Sequence, residues 1–386
     1  MTHCNPMNEF PLMHESEGVP LFYPHVPKRA IENVTDTLSG RWIGQGPKVD
    51  LFERVFTEKL GINSSAIAVS SGTAALHLAY TLAEIGPGDE VICPVFTCTA
   101  TNLPVLYNGG VIRFCDVAEG QLNIDTKRIQ SLITNKTKAI SVVDYGGKPN
   151  DYIELRRICD QFNLKLIADC AHALDGQING KHVTEYADYV IYSFQAIKTL
   201  TTGDGGMLVV KSSADVEKAK RIRWFGIDRT EKQKGSWEND IKELGFKYQM
   251  TDIAASIGLA ALDELDQIFS IRNSIAQVYR EELSKTGVKV FEFSDHPGIL
   301  KFTPWMITID ARGKRLEVME KLRENSIESA QVHYRNDRYS VFGKQNRQDF
   351  PNMNALEDNY LVLPLHTKMQ PKDAVLIAKI ISDVLI

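Results

Sequence analysis

Apolar positions along this chain follow two periods. Short runs of β-branched, aromatic and small apolar residues occur at Ala66–Ser70, Val91–Phe96, Gly110–Asp116, Lys138–Tyr145, Leu164–Asp169, Tyr189–Tyr192 and Gly206–Val210. Each is bounded by polar or glycine-rich breaks and predicts a strand. Between and before them the spacing changes to three and four residues. It predicts helices over Lys28–Leu38, Val49–Leu60, Ala75–Ala83, Thr97–Leu106 and Asp151–Phe162. In the second of these, Leu51, Phe52, Val55, Phe56 and Leu60 fall on one face. Strands alternating with helices predict an α/β fold with a mainly parallel sheet, whose ligands bind outside the carboxyl ends of the strands.

Beyond Val210 the pattern is mostly helical. Val216–Trp224 and the alanine-rich Asp252–Leu265 have helical spacing, a long helical pattern continues to about Ser284, and Thr230–Asp240 between them is a polar loop. From about Val288 the elements shorten, with strands expected at Lys289–Phe293 and Trp305–Ile309 and helices at Lys314–Asn325 and Asp373–Leu385. The expected organisation is an irregular arm over residues 1–20, a large domain over 21–265 and a smaller α+β domain over 266–386.

Composition narrows the class. The 386 residues are 43% hydrophobic and 24% charged with a formal net charge of -5, an ordinary balance for a globular protein with a sizeable core. That charge offers no basic footprint for nucleic acid. No apolar run reaches membrane-spanning length. Met1–Pro20 lacks the apolar core of a secretory signal, so a cytoplasmic protein is expected. The six cysteines form no C-x-x-C pair; buried free thiols fit better than disulfides, and a catalytic cysteine is the second reading, with no thiol–imidazole pairing in the sequence to support it.

Chemistry concentrates at three breaks. Strand Tyr189–Tyr192 runs into Ser193 and a polar, glycine-rich segment that holds Lys198, the residue type that forms a Schiff base with an aldehyde. Strand Leu164–Asp169 ends on a carboxylate. Strand Ala66–Ser70 ends at Ser71-Gly72-Thr73 and turns into a helix, which presents backbone N–H groups and a positive dipole end to an anion. A plain helix cap by Ser71 or Thr73 explains that last feature equally well. If the three strand ends share one rim, they assemble an amine, a carboxylate and an anion cradle, the set that pyridoxal 5'-phosphate requires. His172 follows Asp169 by three residues, within reach of a ring bound there. Further on, Gln331–Phe342 carries His333, Tyr334, Arg335, Arg338 and Tyr339, which suit an anionic ligand or an ordinary polar loop.

These segments, in order, resemble the DegT/DnrJ/EryC1/StrS family of sugar aminotransferases. The resemblance rests on Gly44-Gln-Gly-Pro47 with Phe52-Glu53, Ser70-Ser-Gly-Thr-Ala-Ala-Leu-His-Leu78, Gly88-Asp-Glu-Val-Ile92, Asp169-Cys-Ala-His172, Ser193-Phe with Lys198 and Thr202-Gly-Asp-Gly-Gly206, and Gly245-x-Lys-Tyr-Gln-Met. It implies the fold type I architecture of aspartate aminotransferase, with a mainly parallel, seven-stranded type of sheet. It implies that Lys198 holds the cofactor aldehyde and shuttles the proton, and that Asp169 pairs with the pyridine nitrogen. Gly72, Thr73 and Ser193 would bind the cofactor phosphate, and His172 would contact the ring or its oxygen. It further implies a homodimer with shared active sites, in which Lys247 and its segment reach the partner's phosphate. Glutamate would donate the amine to a keto group, most often at C4, of a nucleotide-linked deoxysugar in glycan or O-antigen synthesis. Amination at C3, or of a ketosugar without a nucleotide, is the alternative. Two positions depart from the family's pattern: Lys247 stands where asparagine is common, and Cys98 where a ring-stacking aromatic is common. The family's 3-dehydratases carry histidine at the lysine position, so Lys198 argues against that branch. A non-catalytic cofactor-binding regulator would not need the full set, and a nicotinamide-binding fold would need a G-x-G-x-x-G that Ser70-Ser-Gly-Thr-Ala-Ala is not.

Overall fold

The structure is a computed structural model and describes residues 18–236, 238 and 240–386. Most of the expected arm, residues 1–17, lies outside the described residues, as does Cys4.

The strands in chain order are β1 (Ser65–Val69), β2 (Glu90–Pro94), β3 (Val111–Cys115), β4 (Thr137–Val143), β5 (Lys165–Asp169), β6 (Gln177–Ile178), β7 (Lys181–His182), β8 (Tyr189–Ser193), β9 (Gly206–Val210), β10 (Leu300–Lys301), β11 (Ile307–Asp310) and β12 (Tyr360–Leu363). Seven of them form one sheet in the order β1-β9-β8-β5-β4-β2-β3. Only β9 runs against the rest, being antiparallel to both β1 and β8. The other neighbouring pairs are parallel. The connections from β2 to β3, β3 to β4 and β4 to β5 each carry an α-helix, whereas β5 reaches β8 through β6, β7 and a 3-10 turn.

Both faces of this sheet are buried, which is why its strands read as apolar runs without polar alternation. Along β8, Tyr189 and Ile191 face one core cluster while Val190 and Tyr192 face another. Leu208 and Val210 of β9 divide from Met207 and Val209 in the same way. The helix Gly72–Leu82 lies against one face and is buried nearly all round. A third cluster joins β11 and β12 to the helices Leu265–Ser284, Arg315–Glu324 and Pro371–Leu385.

Several expectations are corrected. Leu51 is exposed, because the buried face of the helix Pro47–Leu60 is Val49, Phe52 and Phe56. Lys289–Phe293 is no strand: Val290 makes one bridge to Ile309, and Phe291–Phe293 then turns as a 3-10 helix. Thr230–Asp240 is not wholly irregular, since a short helix covers Arg229–Gln233; Trp237 and Asn239 in that loop lie outside the described residues. Among the described residues no helix is long and apolar enough to cross a membrane.

One buried carboxylate ties the helix Pro47–Leu60 to the start of the helix Asp252–Asp263. Asp252 accepts from the N–H groups of Gly46 at 2.7 Å, Val49 at 3.1 Å and Lys48 at 3.2 Å, capping the helix that starts at Pro47 from a distant part of the chain. Replacing Asp252 by alanine leaves these donors without acceptors and should destabilise the protein by about 1–3 kcal/mol. A lowered denaturant midpoint in Asp252→Ala, partly restored in Asp252→Asn, is the expected result.

Candidate active site

Strand topology gathers the three chemical breaks on one rim. β5 and β8 are parallel neighbours, with Asp169 opposite Ile191, so Asp169 and Ser193 end side by side. β1 is two places from β8, and the reversed β9 between them starts with Gly206 opposite both Val69 and Ser193. The turn after β1 therefore meets the end of β8 across a glycine. A Cβ on Gly206 would lie 2.5 Å from the backbone of Ser71, so only glycine allows this approach. A Cβ on Gly72 would lie 2.9 Å from Cβ of Ser193 and 3.2 Å from its Oγ.

Ser71 is the N-cap of the helix Gly72–Leu82, its Oγ accepting from Ala74 N–H at 3.0 Å. The amides of Gly72 and Thr73 stand in the first turn, where no intrahelical acceptor exists. Capping and anion binding thus use different donors and are compatible. Thr73 and Ser193 are half-buried at the mouth of this cradle.

Asp169 is buried, and its carboxylate accepts from Thr101 Oγ1 at 2.7 Å and from the N–H of Ala171 at 3.0 Å. Thr101 in turn pairs with Thr97 at 2.7 Å between their hydroxyls. Burial pushes the Asp169 carboxyl up, while these two donors and the nearby Lys198 pull it down. Lys198 is half-buried, and its crowded surroundings lower its pKa to about 8, against the opposing pull of Cys98 and Asp169. Among the described residues nothing hydrogen-bonds this ammonium; it rests 3.7 Å from the centroid of the Trp305 ring.

Around the amine is a wall of rings. His172 stacks on Trp305 at 4.0 Å between centroids and lies 5.2 Å from His333. Tyr145 packs edge-on against both histidines, and its hydroxyl is 3.4 Å from Nδ1 of His333. Burial and the Lys198 cation hold His172 well below the usual imidazole range, and the same causes push His333 down to about 3. Both rings are neutral at pH 7. Nδ1 of His172 faces the N–H of Gly146 at 3.4 Å and so accepts, which assigns the ring proton to Nε2.

The remaining candidates lie outside this cluster. Arg335 is buried, and its guanidinium is held by both oxygens of Asp337, at 2.6 and 2.7 Å, and by Asn354 and Glu357. It is a structural ion pair, with no free fork for a ligand. Tyr334 is half-buried under the Arg338 guanidinium, 5.1 Å from its ring centroid. Lys247 is exposed, its amine 5.6 Å from the Phe225 ring centroid. Sequence reading missed Trp305, Tyr145, Thr101 and Phe22, which stacks on Trp305 at 4.9 Å. Trp305 opened a run expected only as a strand, and nothing in the local pattern of the other three separates them from packing residues.

The donor set fits pyridoxal phosphate. A bare glycine turn closed by Ser193 suits a phosphate, Asp169 suits a ring nitrogen, and an unpaired amine suits an aldehyde. Fold and donor set together define a pyridoxal-phosphate-dependent aminotransferase of fold type I, and the comparisons agree. The chain belongs to the DegT/DnrJ/EryC1/StrS aminotransferase family, whose model matches residues 24–382. Protein MJ1066 of Methanocaldococcus jannaschii is 33% identical over 380 residues, covering 95% of this chain and 98% of that protein. GDP-perosamine synthase of Vibrio cholerae is 32% identical over 322 residues, covering 82% of this chain and 85% of that enzyme. Among solved structures, the putative sugar aminotransferase Spr1654 of Streptococcus pneumoniae in its PMP form superposes with a TM-score of 0.87 at 26% identity, covering 95% of this chain and 99% of that one.

Gly72→Ala places a methyl group against Ser193 and should weaken pyridoxal phosphate binding about tenfold or more, equivalent to at least about 1.4 kcal/mol. Titrating the cofactor-free variant with pyridoxal phosphate, followed by absorbance, measures the loss.

Proposed function

We propose that this protein transfers an amino group from glutamate to the C4 keto group of a nucleotide-linked deoxysugar, in the synthesis of a glycan such as an O-antigen. The observation that carries the chemistry is the unpaired amine of Lys198 beside buried Asp169 on the rim that also bears the Gly72 cradle. The relationship to GDP-perosamine synthase supports a nucleotide-linked substrate. The family resemblance supports glutamate and C4.

When bound, pyridoxal phosphate supplies an aldehyde that accepts and returns the amine, and a ring that withdraws electrons. The rest is the work of this chain. Asp169, steadied by Thr101 and the Ala171 N–H, would hold a proton on the ring nitrogen and keep it cationic. Nε2–H of His172 would donate to the ring oxygen. Gly72, Thr73 and Ser193 would grip the phosphate and fix the ring's tilt. Nζ of Lys198 would take the proton from the donor's α-carbon and deliver it to the former aldehyde carbon on the other side of the transferred nitrogen, then run the reverse transfer on the sugar. Only the neutral amine can do this, and burial makes it available near pH 8 rather than above 10. The neutral rings of Tyr145, His172, Trp305 and His333 keep water from the amine.

Residues 21–265 would form the cofactor-binding unit and 266–386 the smaller one, a division that the separate cluster of β11, β12 and their helices supports. Lys247 is exposed and the carbonyl of the next residue, Tyr248, accepts from the N–H of Ser70 at 2.8 Å, so its segment borders the cradle with an outward-facing cation that fits a role across a homodimer. The exposed Ile31, Leu38, Trp42 and Ile43 offer an apolar strip for the second copy to cover.

Incubation with glutamate and a panel of 4-keto and 3-keto sugars linked to GDP, UDP or dTDP, read by mass spectrometry, should yield an amino sugar from a 4-keto member. No product from any nucleotide-linked ketosugar would reject the substrate class. Lys198→Ala should reduce turnover by at least about a thousandfold, in the upper range for loss of a group that moves a proton. In the wild type, the rate of the glutamate half-reaction should rise with pH to a half-maximum near 8. The sign follows from the acting species: lower pH protonates the amine and slows transfer.

A further inference from the structure

The Lys198 ammonium is a cation with no hydrogen-bonding partner among the described residues, yet it lies 3.7 Å from the centre of one aromatic ring. That ring is unusually well fixed. Trp305 is 1% exposed, and its backbone is pinned on both sides: its N–H donates to Gly146 O at 2.8 Å, and its carbonyl accepts from Arg272 Nη2 at 2.5 Å. Its indole N–H donates to the carbonyl of Ile197, the residue before Lys198, at 2.9 Å. The ring is therefore tied to the very loop whose lysine it meets. Stacking on His172 and Phe22 prevents it from tilting away.

We propose that the π face of Trp305 is the resting place of the Lys198 amine whenever that amine is not joined to the cofactor, so that Trp305 positions it for proton transfer. The proposal rests on the reading of Lys198 as the proton-moving group. A lysine that alternates between bound and free states needs a defined place to stand when free, or its flexible stem loses the geometry that transfer requires. A carboxylate or carbonyl there would hold the amine by hydrogen bonds and keep it charged. A ring face attracts the ammonium without accepting a directional hydrogen bond from it. The amine can then lose its proton and leave without breaking a bond network. Trp305 is a positioning residue in this scheme, acting through Lys198.

The test uses full-length protein loaded with pyridoxamine 5'-phosphate, which leaves the Lys198 amine free. Its rate of acetylation by acetic anhydride is followed against pH by peptide mass spectrometry. The wild-type rate should be half-maximal near pH 8. Removing a stabiliser of the ammonium lowers that midpoint, so Trp305→Leu should move it down by about one pH unit, a tenfold change in protonation, whereas Trp305→Phe, which keeps a ring face, should move it by less than half as much. Incorporating fluorinated tryptophans drains the ring face without changing its shape. It should lower the midpoint stepwise with fluorine number, and this arm decides the matter even if Trp305→Leu does not fold. A midpoint indifferent to fluorination, or raised in Trp305→Leu, overturns the inference. It would leave the assignment of Lys198 intact, because that assignment fails only if Lys198→Ala still transfers an amino group.

Discussion

A lysine amine without a hydrogen-bonding partner among the described residues stands within electrostatic reach of a buried carboxylate, and the surrounding structure answers to those two groups. Burial acts on both groups against their charged forms. It lowers Lys198 to about 8 and raises Asp169. The site does not neutralise the pair with further charges. It gives Asp169 two neutral donors, Thr101 and the Ala171 N–H, and gives Lys198 an aromatic face. Neutral donors favour the carboxylate without competing for the proton, which is what a group that must keep a ring nitrogen charged requires. The histidines nearby are themselves held neutral, so they add no like charge that would repel the amine further.

The sheet makes this arrangement possible by one irregularity. If all seven strands ran the same way, the turn after β1 and the end of β8 would be separated by the carboxyl end of another strand. The reversed β9 instead puts the start of a strand between them, and that start is Gly206, which has no side chain to hold them apart. The cradle at Gly72 and the lysine loop after Ser193 thus meet across a single glycine. The remaining wall arrives from the C-terminal third of the chain, through Trp305 before β11 and His333 in the segment leading toward β12.

Much of this was legible beforehand. A strand buried on both faces has an apolar signature that needs no knowledge of its partners, and Ala66–Ser70, Leu164–Asp169 and Tyr189–Tyr192 carried it clearly. Lys198, Asp169 and Gly72 could be singled out because each broke such a run with a residue that core packing does not call for. Trp305 followed core logic as well as site logic, so its sequence position said nothing about the amine it meets. Arg335 misled in the opposite sense: an arginine among aromatics suggested a ligand, whereas Asp337, two residues on, already engages it. The helical Phe291–Phe293 and the strand Tyr360–Leu363 were missed because short elements in the C-terminal part are decided by distant pairing, β11 with β12, rather than by local preference.

The central claim is that the amine of Lys198 joins the aldehyde of pyridoxal phosphate while Asp169 and the Gly72 turn hold the rest of the cofactor. Its most direct test is to mix the purified protein with pyridoxal phosphate, fix the linkage with borohydride and map the modified residue by peptide mass spectrometry. The account predicts one pyridoxyl-phosphate group per chain, on Lys198. A protein labelled on other lysines, or left unlabelled under the same conditions, would contradict it.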